Sequence, residues 1–273
     1  MKRLILLILM AAVFLSGCSS GWKYNPITDV NNLEGRRVGV NLGWESDYAL
    51  SNRDDMTLYR YDSTAEMILA LNYDKIDAFA TDELYWRYAR KYSEGLEAVE
   101  PGYIKTGYLV YFGPGNRELK NEFNAYLAEF KKTEEYADYI AREAAYDGEE
   151  YNLPDNLPEP SKTGRVLKVA YDAESFPRSY QDLETGEAMG FDLEAVMRFG
   201  AERNYQIEFI PTSWTDMILG LQSGIYDMGD GYLSDVFFQE ALELGLYPSD
   251  NMDSATIYFI QKNRPRIKLM GEM

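Results

Sequence analysis

The side chains available for chemistry in this chain are limited by two residue types. Its 273 residues include no histidine and a single cysteine, Cys18. Catalytic triads built on histidine and the usual zinc sites require these side chains, so both are excluded for the mature chain. Carboxylate, hydroxyl, lysine and arginine chemistry remains, with no distinctive catalytic spacing. We therefore expect no metal site and no cofactor, and a protein that binds rather than catalyses.

Acidic side chains dominate the later part of the chain. The range 204–261 contains no arginine or lysine, yet it carries Asp227, Asp230, Asp235 and Glu240. The formal net charge of the whole chain is -18. Such a charge repels a phosphate backbone, so a nucleic-acid partner is excluded.

The N-terminus has the composition of an export signal. Lys2 and Arg3 precede an apolar run over 4–15 that is too short to span a bilayer permanently. The run ends in Leu-Ser-Gly-Cys at Cys18, which resembles a bacterial lipobox. A lipobox implies a signal peptide over 1–17, diacylglycerol on Cys18 and a tether over 18–32, with an acyl anchor in the membrane. The alternative is an ordinary secretory signal with a chance cysteine.

The elements that must position a binding site alternate between strands and helices. In the first half, the residue patterns predict a strand over 37–42, a helix from the Ser63 capping box to Tyr73, a strand over 76–81, a helix over 84–92, an extended stretch over 107–112 and two helices between 116 and 146. A polar run with three prolines over 147–163 predicts a linker.

The alternation restarts after the linker. The patterns predict strands over 166–170, 206–211, 226–229 and 255–261, with helices over 190–203 and from the Ser213 cap to Gln222. Strands alternating with helices in both halves predict an α/β fold of two lobes with mainly parallel sheets.

Three motifs in the second half resemble a known family. They are G-F-D-x-E over 190–194, P-T-S-W over 211–214 and L-Q-S-G-x-Y-D over 221–227. This segment closely resembles the first lobe of the family 3 bacterial extracellular solute-binding proteins, which serve amino-acid ABC importers. LEGRRVGVNLG over 33–43, KIDAFATDE over 75–83 and YLVYFGPGNRELKNEFNAYL over 108–127 resemble that family's second lobe, return hinge strand and C-terminal helices.

The resemblance implies a two-lobed type II periplasmic-binding-protein fold with a rotated lobe order, as in a circular permutant. The implied divisions are a second-lobe-like domain over 33–107, a hinge strand and C-terminal-type helices over 108–147, a linker over 148–163, a first-lobe-like domain with hinge strand over 164–262 and a connector remnant over 263–273. The alternative is a truncated tandem whose halves pair with another chain.

The resemblance also implies ligand-binding residues in the cleft between the lobes. Asp82 matches the family carboxylate that receives the ligand's amino group, although it could instead cap the next helix. Gly43 and Ser46 match the loop and helix N-terminus that receive the ligand's carboxylate. Phe176 and Tyr180 match the aromatic loop after the first strand.

The chain departs from the family at the arginine that pairs with the ligand's carboxylate. Phe238 lies near the position of that arginine, and Asp235 lies near that of the family threonine. Arg178 stands where the family usually has an aromatic residue. Either Arg178 supplies the missing charge from another wall, or the ligand is cationic or neutral and held by carboxylates and tyrosines.

These observations predict a surface lipoprotein that captures a small polar solute, an amino acid or related amine, for an ABC permease. Two alternatives stay open: a degenerate interaction or sensor module, and a dehydratase- or lyase-type enzyme on the same fold.

Overall fold

The computed structural model describes residues 25–148, 151–159, 161–230 and 235–263. The predicted signal peptide and Cys18 lie outside this part of the chain. The described residues form two α/β units, each built on its own sheet. The predicted α/β class with two lobes is confirmed. No helix within the described residues is long and apolar enough to cross a membrane.

The first unit contains a six-stranded sheet. Its strands are β1 (Arg36–Asn41), β2 (Met56–Tyr61), β3 (Ala78–Asp82), β4 (Leu96–Ala98), β5 (Ile104–Gly107) and β14 (Ser254–Lys262). Their order is β2-β1-β3-β14-β4, with β5 also paired to β14. Strands β1, β2 and β3 run parallel, and β14 is antiparallel to its neighbours. The helices are α1 (Glu45–Leu50), α2 (Thr64–Asn72) and α3 (Glu83–Ala89), and a 3-10 turn covers Arg90–Tyr92.

The second unit contains a five-stranded sheet of β6 (Tyr111–Phe112), β7 (Val166–Asp172), β11 (Gln206–Thr212), β12 (Met228–Asp230) and β13 (Tyr247–Pro248). Their order is β11-β7-β12-β6-β13. A small antiparallel sheet joins β8 (Glu174–Ser175), β9 (Ser179–Gln181) and β10 (Ala188–Met189). The helices are α4 (Arg117–Phe130), α5 (Glu134–Ala145), α6 (Phe191–Glu202), α7 (Trp214–Ser223) and α8 (Phe238–Glu243), and a 3-10 turn covers Asp235–Phe237.

Each sheet takes one antiparallel strand from a distant part of the chain. Strand β14 follows the second unit in sequence but lies in the first sheet, and β6 follows the first unit but lies in the second sheet. The chain therefore crosses between the units twice, between β5 and β6 and between β13 and β14. The two sheets have the same strand order when each is read from its own first strand.

The sequence predicts crossings at 107–112 and at 255–261, and only the first prediction is right. Residues 255–261 lie wholly inside β14, and the second crossing occupies 249–253. The reason is burial: Ile257, Phe259 and Ile260 are fully buried. A run this apolar is stabilised in the middle of a sheet rather than on a connection between units.

Helices α4 and α5 pack on the second unit, as predicted. Phe123 and Leu127 of α4 lie in one buried cluster with Val169 of β7 and Phe199 of α6. Two predicted helix starts are also confirmed, since Ser63 accepts a hydrogen bond from the backbone N–H of Glu66 at 3.3 Å and Ser213 from that of Asp216 at 3.2 Å.

The two ends of the described chain meet in the first unit. The backbone N–H of Ile27 donates to the Gln261 side-chain oxygen at 2.8 Å. Ile27 and Val30 lie in the same buried cluster as Ile257 and Phe259 of β14. The segment before β1 thus continues the core that the last strand occupies.

Candidate functional site

The two units touch through α1 and β5 of the first unit and through α7 and the 3-10 turn of the second. Thr106 of β5 donates to the Asp235 carboxylate at 2.7 Å, which joins the first sheet to the 3-10 turn of the second unit. The Tyr48 ring of α1 lies 5.2 Å from the Phe237 ring and 6.4 Å from the Trp214 ring, measured between centroids. The carboxyl ends of parallel strands are where ligands bind in α/β sheets.

Each unit has a buried serine shortly after the first strand of its sheet. Ser46 follows β1 and Ser175 follows β7, the first strands of the two sheets, and both side chains are fully buried. Neither hydroxyl has a hydrogen-bond partner among the described residues. Buried hydroxyls are normally paired, so this face of each unit is suited to a polar molecule.

Asp82 is fully buried at the end of β3 and caps helix α3. Its Oδ1 atom accepts from the backbone N–H groups of Leu84 at 2.8 Å and Tyr85 at 3.1 Å. The capping role that the sequence leaves open is therefore real. Contact between Asp82 and a ligand stays a prediction.

Acidic side chains lie beside the turn from Gly43 to Ser46. The Gly43 N–H donates to the Asp47 carboxylate at 3.1 Å, and Asp47 also pairs with Arg60 at 2.9 Å. Glu45 and Asp47 lie in the first turn of α1, and both are buried. The resemblance implies an anion here, but the first turn already carries its own anions.

Arg178 is the centre of a buried ionic cluster. Its side chain is 1% exposed, and its guanidinium lies 3.0 Å from Asp192, 3.3 Å from Asp253 and 3.1 Å from Glu143. The same guanidinium carbon stands 3.4 Å above the centre of the Tyr108 ring. We call these five residues the Arg178 cluster.

The G-F-D motif explains how the chain positions this arginine. Gly190 has a φ of +134°, and a Cβ atom there would lie 2.1 Å from the Arg178 carbonyl oxygen, so only glycine fits. The next N–H groups donate back to the loop, Phe191 to Pro177 at 3.2 Å and Asp192 to Arg178 at 3.0 Å. The motif therefore fixes the Arg178 backbone and supplies one of its carboxylate partners.

Burial and neighbouring charge shift the acid–base behaviour of the Arg178 cluster. Burial, and secondly the Asp253 carboxylate, raise the pKa of Glu143 to about 10. Glu143 is therefore protonated near neutral pH. Tyr139 donates to Asp253 at 3.0 Å, and burial raises the pKa of both Tyr139 and Tyr108 well above the ordinary tyrosine value.

The predicted aromatic loop makes contacts between the units. The Phe176 ring lies 4.5 Å from the Tyr88 ring of α3 and 4.7 Å from the Tyr180 ring. Tyr180 donates through its hydroxyl to the Tyr151 carbonyl at 3.3 Å. Phe176 therefore packs against the first unit, on the helix that Asp82 caps.

The two residues near the missing family arginine differ in their surroundings. Asp235 is exposed and bonded to Thr106. Phe238 is half-buried and packs against the cluster that contains Leu109 and Tyr111. The structure thus brings Asp235 to the contact between the units, while Phe238 contributes to the core behind it.

The sequence patterns do not predict two residues of the Arg178 cluster, Glu143 and Asp253, as site residues. Both line a cavity of about 380 Å³ between α3 and β5 of the first unit and helix α5. The signal for Glu143 was its spacing from the buried Tyr139, four residues earlier on the same helix face. Asp253 lies in a loop, and no periodicity marks it.

Among the described residues, no group of three or more cysteine, aspartate or glutamate side chains is arranged to hold a metal ion.

Residues 167–234 match the family model described as bacterial extracellular solute-binding proteins, family 3. The matched stretch lies in the second unit and contains the three motifs that carry the resemblance. The match supports the relationship of this unit to that family. No curated protein matches the chain.

Several solved structures are distantly similar. The ligand-binding component of an ABC-type import system from Staphylococcus aureus, with zinc bound, is 10% identical over 84% of this chain and 66% of its own, with a TM-score of 0.45. A probable amino-acid ABC transporter extracellular-binding protein from Bacillus subtilis is 9% identical over 86% of both chains, with a TM-score of 0.43. The GluR0 ligand-binding core with L-glutamate is 12% identical over 86% of this chain and 87% of its own, with a TM-score of 0.41. Likeness at this level carries no argument about the ligand.

Proposed function

We propose that this chain, whose residues 167–234 match the solute-binding family, is an extracytoplasmic solute-binding protein that holds a small polar solute between its two units. The observation that carries the proposal is the contact between the ends of corresponding strands. Ser46 and Ser175 follow the first strands of the two sheets, and their buried hydroxyls have no partners among the described residues. Closure of two lobes around a solute would supply those partners.

The solute is an amino acid or a related amine. The range 204–261 carries no arginine or lysine, and the Arg178 guanidinium is already bonded to three carboxyl groups, of which Asp192 and Asp253 balance its charge. A free carboxylate on the solute would lack its usual counter-ion on this unit. An amino group finds carboxylates nearby, so a cationic or neutral amine fits these charges better than an anion.

The partner is an ABC permease, and the anchor is a lipid on Cys18. The family match supports import as the setting, and the lipobox-like sequence supports the anchor. A Cys18→Ser variant is expected in the soluble fraction of the producing bacterium, whereas the native chain sediments with membranes. Equal distribution of both chains would contradict the anchor.

The chain is a circular permutant of the family's lobe order. The hydrogen bond between Ile27 and Gln261 and the shared core of Ile27, Val30 and β14 support this reading, because they bring both ends of the described chain to one connector. The exchange of β6 and β14 between the units supports one complete two-lobed molecule rather than a truncated tandem.

A thermal-shift screen with amino acids, polyamines and sugars tests the function. A solute that binds only the folded state stabilises it by about 2.7 kcal/mol at a concentration of 100 times Kd. We expect at least one amine to raise the melting temperature with one-to-one stoichiometry in calorimetry, and to be recovered unchanged. A screen without any stabilising solute would favour a non-transport interaction module, and turnover of the solute would favour an enzyme.

A further inference from the structure

The cavity of about 380 Å³ between the units has an acidic wall that the proposed solute cleft does not use. Glu143 of α5 and Asp253 of the second crossing both line it, and they are only 8% and 7% exposed. Carboxyl groups this deeply buried are unusual unless they are paired or protonated.

The two carboxylate oxygens of Asp253 differ in their surroundings. Its Oδ2 atom accepts from Tyr139 at 3.0 Å and lies 3.3 Å from the Arg178 guanidinium. Its Oδ1 atom is buried and accepts from no N–H or hydroxyl group of the described residues. The neighbouring Glu143 carboxyl, held protonated by burial and by Asp253, is the hydrogen-bond donor beside it.

Charged groups of both signs surround the cavity. Glu83, Arg87, Lys105, Glu143 and Asp253 line it, and Arg178 and Asp192 lie directly behind Glu143. The buried carboxyl groups of Asp82 and Glu45 lie near Tyr108 and raise its pKa further. The nearby phenols Tyr108, Tyr136 and Tyr139 are neutral, because burial raises the pKa of each. One further cation is accommodated if Glu143 loses its proton.

The cations already present are occupied elsewhere. Arg87 pairs with Glu83 and donates to the carbonyl groups of Glu143 and Ala144 at the end of α5. Lys105 is exposed. Among the described residues, neither of these side chains bonds to the carboxyl group of Glu143 or Asp253.

Apolar side chains line another part of the cavity. They are Leu84, Ile140, Ala144 and Ala255. Such a surface suits a short alkyl chain, since burying each methylene group is favourable.

We propose that this cavity binds a small primary alkylammonium ion, with its ammonium between Glu143 and Asp253. The step is balanced: the carboxyl O–H of Glu143 breaks, the proton passes to solvent, and the carboxylate left behind accepts from the ammonium. No other reactant is needed. The inference stands on the cavity's own residues and does not depend on the solute cleft.

Isothermal titration calorimetry of the full chain tests this with butylamine as the probe, against 1-butanol and butyrate of similar size. Titration at pH 7.5 in phosphate and in HEPES, which differ in ionisation enthalpy, counts the protons released. We expect butylamine to bind tighter than the other two and its affinity to rise with pH, because binding releases the proton of Glu143. We also expect release of about one proton per amine bound.

Two variants and a matched control identify the groups. Glu143→Gln should abolish the proton release and weaken butylamine binding, and Asp253→Asn should weaken binding as well. Glu134→Gln, an exposed glutamate on the same helix, should behave as the native chain. Glutamine has the shape of protonated glutamate, so Glu143→Gln keeps the fold even if Asp253→Asn does not. Butylamine binding no tighter than butanol, or equal proton release by the native chain and Glu143→Gln, would overturn the proposal.

Discussion

At the scale of single residues, Arg178 shows how one side chain connects several parts of the molecule. Its three carboxyl partners come from α5, from α6 and from the second crossing, and the Tyr108 ring under it belongs to the first crossing. Both connections between the units therefore contact the same guanidinium. The position of Arg178 affects the fold whether or not it touches a solute.

Replacing Arg178 with alanine is expected to lower the free energy of unfolding by about 3–5 kcal/mol, because buried carboxylates would lose their counter-ion. Urea denaturation of the two chains measures this. The control is Lys162→Ala, which removes an 81% exposed partner of Glu159 and should change stability by less than about 1 kcal/mol. Equal stability of Arg178→Ala and the native chain would show that the cluster does not stabilise the fold.

Glu143 predicts how stability depends on pH. Its folded-state pKa of about 10 lies above the ordinary value of 4.5. Between these two pH values the folded chain keeps a proton that the unfolded chain has already released. Stability then falls as pH rises through this window, by up to about 1.4 kcal/mol per pH unit for one proton. Glu143→Gln removes this contribution, so urea midpoints at pH 6 and pH 8 should differ less for the variant. Parallel changes in both chains would contradict the assignment.

The sequence singles out Arg178 but not its partners. An arginine in an otherwise aromatic loop is visible by resemblance, whereas its pairing with Glu143 and Asp253 depends on contacts over 35 and 75 positions. No local pattern encodes such pairs. The expectation of a carboxylate site at Gly43 and Ser46 did not include the hydrogen bond from Gly43 to Asp47, only four residues later.

At the scale of elements, helix α3 connects a candidate binding residue to local stability. Asp82 caps this helix through two backbone N–H groups. Asparagine caps helices about as well as aspartate, whereas alanine costs about 1 kcal/mol. Replacing Asp82 with asparagine therefore removes the carboxylate charge and keeps the helix cap.

We expect Asp82→Asn to keep the stability of the native chain and Asp82→Ala to lose about 1 kcal/mol in urea denaturation. If an amine solute pairs with Asp82, calorimetry with the solute found in the screen will show weaker binding to Asp82→Asn despite its unchanged stability. Unchanged affinity would leave Asp82 with a capping role alone.

Elements with strong local signals were predictable. The caps at Ser63 and Ser213 and the apolar strands β3 and β14 have such signals, and the structure contains all of them. Strand β2 was missed because it is an edge strand whose six residues are mostly half-buried or exposed. Strands of two or three residues, such as β8 and β9, are too short for a period to be detected.

At the scale of the whole molecule, the meeting of the chain ends makes the permutation testable. A chain that starts at 164, runs to 263, continues through a short Gly-Ser linker to 25 and ends at 148 restores the family's lobe order. Because Ile27 and Gln261 are already hydrogen-bonded, this rearranged chain should fold with a circular dichroism spectrum and urea midpoint close to those of the native chain. Failure to fold cooperatively would contradict the permutation.

The two-lobed architecture could be predicted because strands alternate with helices over both halves of the chain. The contact between the lobes could not be predicted from the sequence. It depends on contacts such as Thr106 with Asp235 and Tyr88 with Phe176, which join side chains far apart in sequence. Relative lobe position is a property of packing rather than of local pattern.

The central claim, capture of a solute between the two units, is tested most directly by a reversible crosslink across their contact. In a Cys18→Ser background, cysteines at Thr106 and Asp235 replace side chains that lie 2.7 Å apart. The reduced double variant, which must bind the solute from the screen, is its own control. The account predicts that oxidation slows or abolishes solute uptake in calorimetry and that reduction restores it, because the units must separate to admit the solute. Equal uptake by the oxidised and reduced chains would contradict binding between the units.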